Sequence, residues 1–297
     1  MRNRRPALAS LLAILLLSAT FAVGGRPLTI LYTNDLHLRF ARLESLASLI
    51  EAERERGEVL LVDGGDSLQD FRTPLAAVWG ADEMIDWMNR AGYDAMAAGN
   101  HGLYWGPARL KELERRADFP FLCANLDPAS GFLSPLESAV VRDVDGLRVL
   151  LAGVITRELL PYPDFPTLRY VDPIRALGDV ITAWEEDVDL VVAIGHVPVA
   201  EASRIAEAVP DIDVFVTGHS HEETRDPVRV GETLIVQAGA FGRWLGRLRI
   251  DVANGSAELV GNDLLPTEKA STDIGRGLLQ FIAVAVTFAG TALLVLL

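Results

Sequence analysis

Cysteine is almost absent from this sequence. Cys123 is the only one among 297 residues, so no disulfide can form within the chain. It lies in the apolar run FPFLCANL, which predicts a thiol buried in the core rather than a reactive one. Internal repeats and low-complexity segments are absent too. The stretch between the two apolar termini is long enough to bury the core of one large α/β domain.

Basic residues are few compared with acidic ones. The chain has 27 Lys and Arg against 41 Asp and Glu, which gives a formal net charge of -14. Proteins that bind nucleic-acid polymers irrespective of sequence neutralise backbone phosphates with clustered Lys and Arg. The composition therefore argues against such a partner and favours a small or neutral-bodied substrate.

The N-terminus, residues 1–25, has the layout of a secretory signal. Arginines near the start precede an apolar core, and small residues follow it. Cleavage after Ala22 or Gly25 and retention as an uncleaved N-terminal anchor both remain open. Either outcome predicts export of the domain that follows.

The C-terminal residues 278–297 form an uncharged apolar run of the length needed to cross a bilayer as a helix. A buried core helix is less favoured, because the run is apolar on every face. We therefore expect a catalytic domain over 26–266, a polar linker over 267–277 and a transmembrane helix over 278–297. Together the termini predict an exported protein held at the membrane, with its domain on the extracytoplasmic side.

Short apolar runs alternate with longer stretches of helical spacing, which indicates a layered α/β fold. The strand-like runs are LTILYTND, VLLVDGGD, DAMAAGNH, FPFLCANL, DLVVAIGH and DVFVTGHSH, and the helical stretches are ARLESLASLIEAERER, ADEMIDWMNRAG, DPIRALGDVITAWEED and AEASRIAEAV. Asp145-Gly146 and Asn254-Gly255 each predict a hairpin between two flanking strands. Helices are expected to cover the outer faces of the sheets.

Polar residues capable of binding metals stand at the ends of the strand-like runs. Ligands bind at the carboxyl ends of strands in α/β sheets, where loops carry function on a rigid scaffold. A single histidine there is more often structural than functional, but all five histidines of the chain fall in this set. The set comprises Asp35, His37, Asp66, Asn100, His101, His196, His219 and His221.

The spacing within these motifs suits coordination. Asp35 and His37 are two residues apart, so an extended backbone directs both side chains to one side. Asp66 follows two glycines, which permit a tight turn close to an ion. Asp63, three residues earlier and inside the run, is interpreted as a structural hydrogen-bond acceptor. The element Gly218-His219-Ser220-His221 is the most specific signal, since two imidazoles one residue apart after a buried strand have few structural uses.

The motifs TNDLH, GGDS, GNH, GH and GHSH, in this order between about Leu28 and Pro266, resemble those of the calcineurin-like metallophosphoesterases, and within them the 5'-nucleotidase group. The resemblance implies a layered β-sandwich flanked by helices, forming a single catalytic domain. It also implies that Asp66 bridges two metal ions and that His101 acts on the phosphate and on the departing oxygen. The ligands that it implies are Asp35, His37 and His221 for one ion and Asn100, His196 and His219 for the other.

The chemistry of this ligand set agrees with the resemblance. Two divalent ions with only two carboxylates keep about two positive charges uncancelled. That excess lowers the pKa of a bridging water, supplies hydroxide near neutral pH and attracts the phosphate oxygens in the transition state. Nitrogen and oxygen ligands without thiolate suit manganese, iron or zinc alike.

Two departures from the family pattern bear on substrate and rate. The GNH motif is usually followed by Glu, an apolar residue and an Asp that orients the histidine, whereas Gly102, Leu103 and Tyr104 stand here. The second domain that stacks the base in nucleotidases is replaced by the linker and apolar tail, so selectivity for nucleotides is not expected.

Three functions follow from these observations. The first is hydrolysis of small phosphate esters, nucleotides included. The second keeps the metal centre but cleaves thiosulfate esters, and the third is a catalytically weak phosphate-binding protein on the membrane surface. The presence of all seven ligands favours an enzyme. Arg39, Arg72 and Arg157 neighbour the motifs but are interpreted as surface charges.

Overall fold

A computed structural model describes residues 25–69, 76–103, 106–127, 136–158, 169–184, 187–253 and 255–270. The signal expected over 1–25 and the transmembrane helix expected over 278–297 lie outside these residues, except for Gly25. Arg72, Tyr104 and Trp105 lie outside them as well. Within the described part of the chain, no helix is both long and apolar enough to cross a membrane.

Six strands form the first sheet, and four of them are parallel. In spatial order the strands are β14 (Ser256–Pro266), β13 (Trp244–Ala253), β1 (Arg26–Thr33), β2 (Val59–Asp63), β3 (Ala95–Ala97) and β4 (Phe121–Leu122). β1 to β4 run parallel, while β13 pairs antiparallel with β1 and with β14. β13 and β14 pair up to Ala253 and Ser256, as expected of the predicted hairpin, and Asn254 lies outside the described residues.

The second sheet also has six strands with a parallel centre. In spatial order they are β11 (Val228–Val230), β12 (Thr233–Val236), β10 (Val214–Thr217), β9 (Leu190–His196), β7 (Leu147–Ile155) and β6 (Ala139–Val144). β6 and β7 are the hairpin predicted at Asp145-Gly146. A separate two-stranded ladder joins β5 (Leu126–Asp127) and β8 (Arg169–Tyr170).

Helices cover the outer faces of the sheets. They are α1 (Leu43–Arg54), α2 (Ala76–Ala91), α3 (Asn100–Leu103), α4 (Gly106–Arg116), α5 (Pro173–Trp184) and α6 (Val199–Ala208), and a 3-10 turn at Phe40–Arg42 precedes α1. The four helices predicted from spacing correspond to α1, α2, α5 and α6. α4 was not predicted, because its sequence is mostly polar and only Leu110 and Leu113 are buried among its described side chains.

Alternation along the strands divides the core into layers. Ile30 and Tyr32 of β1 pack between the two sheets, whereas Leu31 points to the helices on the other side. A third cluster lies between the second sheet and helices α5 and α6. The order is thus helices, sheet, sheet, helices, which confirms the predicted layered α/β sandwich. Cys123 is buried, as predicted.

The parallel strands position the site. β1, β2 and β3 in the first sheet and β9 and β10 in the second end at the same edge of the sandwich. The predicted ligands lie at or just beyond these strand ends: His196 is the last residue of β9, Asn100 is the first of α3, and the others lie in the loops that follow. Ligands of α/β proteins bind at such carboxyl edges, where the loops rest on buried strands.

Candidate metal centre

The loops that carry the predicted ligands have a backbone that is unusual for side-chain-bearing residues. Positive φ angles occur at five of them: Asp35 (51°), His37 (47°), Asp66 (57°), His219 (72°) and His221 (58°). Such angles are uncommon in residues other than glycine, because they strain the backbone, and residues that adopt them cluster at functional sites. The surrounding structure must therefore hold these residues in place.

Backbone hydrogen bonds between two loops supply much of this restraint. The N–H of Asp35 donates to Gly65 O at 2.8 Å, that of His37 to Asp66 O at 3.1 Å, and that of Leu38 to Ser67 O at 3.2 Å. The loops after β1 and β2 thus continue as a short ladder beyond their strands. This ladder brings Asp35, His37 and Asp66 together, although about 30 residues separate them in the sequence.

One group of ligand atoms consists of Asp35, His37 and His221. Asp35 Oδ1 lies 3.2 Å from His221 Nε2 and 3.5 Å from His37 Nε2, and the two imidazole nitrogens are 3.4 Å apart. Burial alone raises the pKa of Asp35, but the adjacent imidazoles of His221 and His37 outweigh it and hold that pKa below its usual range. The structure therefore brings together the three residues that the resemblance assigns to the first ion.

A second group consists of Asp66, His196 and His219. Asp66 Oδ2 lies 3.0 Å from His196 Nε2, which in turn is 3.3 Å from His219 Nδ1. Burial favours neutral His196, but the Asp66 carboxylate outweighs it and raises the pKa of His196 to about 9. An anionic pocket that stabilises an imidazolium also suits a divalent cation.

Asp66 lies close to ligands of both groups. Its carboxylate falls within 4.8 Å of ligand atoms of Asp35 and His37 from the first group and of His196 from the second, and also of His101. It is buried, and its N-terminal neighbour Gly65 adopts φ 93°. This is the position expected of a carboxylate shared by two ions.

The remaining ring nitrogens of three ligand histidines have partners that fix the tautomer. His37 Nδ1 lies 2.8 Å from Gln69 O, and His196 Nδ1 lies 2.9 Å from Gly64 O. A carbonyl accepts only from N–H, so Nδ1 carries a proton in both histidines, and Nε2 is the atom left to bind an ion. In His219 the two nitrogens have the opposite roles: Nε2 contacts Glu158 Oε2 at 3.1 Å, and Nδ1 faces the site.

The hydrogen bonding of two buried side-chain oxygens shows whether metal ions would fit this centre. Asp35 Oδ1 and Asn100 Oδ1 accept no well-formed hydrogen bond from the described residues. An unsatisfied buried acceptor is costly, whereas an ion at that position would satisfy it. The donor set of imidazole nitrogens, carboxylates and one amide oxygen is suited to Mn²⁺, Fe²⁺ or Zn²⁺. The residues therefore fit divalent ions.

His101 lies at the open side of the centre. Its backbone N–H donates to Asp66 Oδ1 at 2.9 Å, and its ring packs edge-on against His37 at 5.0 Å between centroids. Its side chain is 22% exposed, which is close to the 20% of His219, below the 36% of His221 and above the 3% of His37. Burial, the largest influence, lowers the pKa of His101. Gly102 and Leu103 continue α3, and Tyr104 lies outside the described residues.

Other residues near the motifs have defined places. Asp63 accepts hydrogen bonds from Thr33 Oγ1, Ser67 Oγ and Gly65 N, which confirms its interpretation as a structural acceptor. Arg39 was interpreted from the sequence as a surface charge, but its guanidinium packs on an aromatic ring beside the centre. Its guanidinium lies 5.2 Å above the Phe241 ring, which itself packs against His37 and His221.

Sequence reasoning missed four residues that shape the centre: Asn34, Glu158, Gln237 and Phe241. Gln237 is fully buried and donates through Nε2 to Thr217 Oγ1 and Gly218 O, both at 2.7 Å. Its Oε1 accepts from Ser220 Oγ and Glu222 N, so it anchors the loop that carries His219 and His221. The only signals in the sequence were the TND motif and the stretch IVQAGAFGRWLGRL.

Comparisons with known proteins agree with this geometry. The sequence model described as calcineurin-like phosphoesterase matches residues 28–223. A snake venom 5'-nucleotidase from Gloydius brevicauda is 30% identical, over 85% of this chain and 50% of the relative. The chain thus spans about half the length of such curated relatives.

Solved structures share the fold. A 5'-nucleotidase precursor from Thermus thermophilus has a TM-score of 0.73 at 23% identity, and the match covers 88% of this chain and 59% of the Thermus chain. A sulfate thiohydrolase from the same species has a TM-score of 0.71 at 21% identity, covering 80% and 56%. Sequence match, fold and clustered ligands together show that the chain belongs to the calcineurin-like phosphoesterase family, whose members are metal-dependent hydrolases of phosphate esters.

Proposed function

We propose that this chain hydrolyses small phosphate esters at a centre of two divalent metal ions. The observation that carries the proposal is that Asp66 lies within 4.8 Å of ligand atoms of both groups, namely Asp35, His37 and His196. Asp35, His37 and His221 would hold one ion. Asn100, His196 and His219 would hold the other, with Asp66 shared.

Bound at these positions, the ions would supply the Lewis acidity that activates water and stabilises charge on the phosphate oxygens. The protein supplies the rest of the mechanism. Asp35 and Asp66 are the only carboxylates in the proposed ligand set, so the centre retains net positive charge for an anionic substrate. Carbonyl partners hold the Nδ1 protons of His37 and His196, which keeps both Nε2 lone pairs directed inward.

His101 is the histidine left for the substrate. It lies at the open side of the centre, and its main-chain bond to Asp66 places it at a fixed distance from the shared carboxylate. We propose that its ring holds a proton beside the phosphate and the departing oxygen. A side chain positioned in this way contributes about 10²–10⁴-fold in rate.

The proposed substrates are small phosphorylated metabolites, nucleotides among them. The name of the Gloydius relative supports a nucleotide, but this chain covers only half of that protein. Hydrolysis of a thiosulfate ester and binding of phosphate without turnover are the alternatives that the experiment below must exclude.

Export and membrane attachment belong to the same proposal. They rest on the sequences of 1–25 and 278–297, with 267–277 as a linker. β14 ends at Pro266, but the N–H groups of Thr267 and Ala270 still donate to Arg243 O and Ala41 O, so the domain proposed over 26–266 is extended to residue 270. Full-length protein that stays in solution after removal of detergent would contradict attachment through the tail.

The deciding experiment uses full-length protein purified in detergent and freed of metal by chelation. It is assayed on nucleoside monophosphates, other phosphate monoesters, diesters and thiosulfate esters, with Mn²⁺, Zn²⁺ or Fe²⁺ restored in turn. We expect phosphate release that requires added metal and is absent from an Asp66→Asn control. Activity that survives complete metal removal would refute the mechanism. Turnover confined to thiosulfate esters would identify the alternative enzyme, and binding without turnover would identify a phosphate-binding protein.

A further inference from the structure

Asn34 is a buried residue next to a proposed metal ligand, and its side chain is fully engaged. It follows β1 directly and is 2% exposed. Its Nδ2 donates to Asp35 Oδ2 at 2.8 Å and to Gly239 O at 2.6 Å, while its Oδ1 accepts from Ala238 N at 2.8 Å. Asn34 thus connects Asp35 to the segment that follows β12, more than 200 residues away.

The two oxygens of Asp35 have different surroundings. Oδ2 accepts from Asn34 Nδ2 and also from the backbone N–H of His219 at 3.0 Å. Oδ1 accepts no well-formed hydrogen bond from the described residues, and it faces the Nε2 atoms of His37 and His221. Because a carboxylate oxygen that already accepts two hydrogen bonds has less electron density to share, Oδ1 is the better ligand.

The backbone of Asp35 needs this restraint. Its φ of 51° lies in the left-handed region, which costs on the order of 1–3 kcal/mol for a residue with a side chain. Main-chain bonds to Gly65 O and from Phe241 N hold the peptide itself. They do not fix rotation of the carboxylate, which is left to the two donors on Oδ2.

We propose that Asn34 is a positioning residue for the ion held by Asp35, His37 and His221. By occupying Oδ2 it turns the carboxylate so that Oδ1 alone meets that ion. The inference rests on the proposed two-metal function. It differs from a general structural role, because it concerns one ion and leaves the ion at His196 and His219 unaffected.

The test is metal binding rather than turnover. Purified full-length protein, freed of metal, is titrated with Mn²⁺, and bound ions per chain, dissociation constants and electron paramagnetic resonance spectra are recorded. For Asn34→Ala we expect one affinity to fall by about 10–100-fold, the usual effect of losing a residue that orients a metal ligand, and the other to stay unchanged. The spectrum should change from that of two coupled ions to that of an isolated ion.

Asn125→Ala is the matched control. Asn125 is equally buried and bonds through both side-chain atoms to the main chain of Ile155, but no hydrogen bond within the described part of the chain joins it to a proposed ligand. Both affinities should stay unchanged in this variant, even if its unfolding temperature falls. Asn34→Ser, which leaves a smaller cavity and retains a hydroxyl, replaces Asn34→Ala if the alanine variant does not fold.

The outcomes separate this inference from the function on which it rests. Wild-type protein that binds fewer than two ions would refute the proposed two-metal centre. Two ions in the wild type, with both affinities unchanged or equally weakened in the Asn34 variants, would refute only the role of Asn34.

Discussion

The backbone N–H of His101 donates a hydrogen bond to Asp66 Oδ1 at 2.9 Å, while the other oxygen of that carboxylate, Oδ2, lies 3.0 Å from His196 Nε2. Asp66 therefore uses one oxygen to anchor the loop that bears His101. The second oxygen faces the centre. Because of this division, the residue proposed to bridge the ions also fixes the position of the residue proposed to act on the substrate.

Asp66→Asn should lose both metal and activity. An amide cannot replace the negative charge between two cations, which in a two-metal site stand about 3.5–4 Å apart and repel each other. Metal content is measured by mass spectrometry after dialysis, and circular dichroism checks the fold. A folded variant that retains two ions per chain and near-normal turnover would show that the bridge has been misassigned.

Gly99→Ala should reduce turnover by displacing Asp66, although no proposed ligand is replaced. A methyl group at Gly99 would overlap the N and Oδ1 of Asp66 and come within 2.8 Å of its Cγ, so the carboxylate must shift. Displacement of a catalytic group by about 1 Å can reduce turnover by about 10²-fold.

Gly102→Ala is the control for this prediction. It adds the same methyl group three residues later, where the nearest side-chain atom is Leu110 Cδ1 at 4.0 Å. Turnover and metal content are compared in the two variants. Equal turnover and equal metal content in the two variants would show that the close contact between Gly99 and Asp66 does not matter for the centre.

The sequence predicted the parts of this centre that depend on local order. Each run of apolar residues ending in Asp, Asn or His became a buried strand followed by a loop at one edge of the sandwich. Burial of the strands and the shared direction of parallel strands were sufficient to bring those loops together.

Contacts between distant residues could not be predicted in the same way. Asn34 meets Ala238 and Gly239 only because β1 and β12 lie in facing sheets, and no periodicity within either segment reveals it. The left-handed backbone of Asp35 and His221 was also hidden, since that conformation is usually signalled by glycine. Helix α4 was missed because its mostly polar sequence gave little hydrophobic periodicity.

Asp213 should make stability depend on pH. Burial raises the pKa of its carboxyl to about 6 in the folded protein, although the N–H of Val191 donates to it at 2.8 Å. The unfolded value is about 3.9. The folded state therefore binds this proton more tightly, so the contribution of Asp213 to the free energy of unfolding is greatest below about pH 4 and falls as pH rises through about 6.

Asp213→Asn should remove that part of the pH dependence. Relative to wild type, we expect it to gain on the order of 1–2 kcal/mol between about pH 4 and 7, after allowance for partial exposure of the carboxyl. Urea unfolding at fixed metal concentration across this range gives the difference at each pH. Parallel curves for the two proteins would show that the carboxyl titrates equally in both states.

His101→Ala tests the separation of metal binding from chemistry. The residue lies at the open side of the centre and is the one histidine not assigned to an ion, so the variant should retain both ions. Turnover of substrates with poor leaving groups should fall by about 10²–10⁴-fold, the usual value of a positioned proton donor. An activated aryl phosphate, whose leaving group needs little protonation, should lose much less.

The contrast between the two substrates decides the role of His101. General damage to the fold or to the metal centre would slow both equally and would lower metal content, which is measured on the same samples. Equal losses with both ions retained would indicate that His101 stabilises charge on the phosphate instead of protonating the departing oxygen. No loss on either substrate would contradict a catalytic role. It would then follow that a histidine followed by Gly102, where the family usually has Glu, keeps its main-chain bond to Asp66 and contributes through that bond alone.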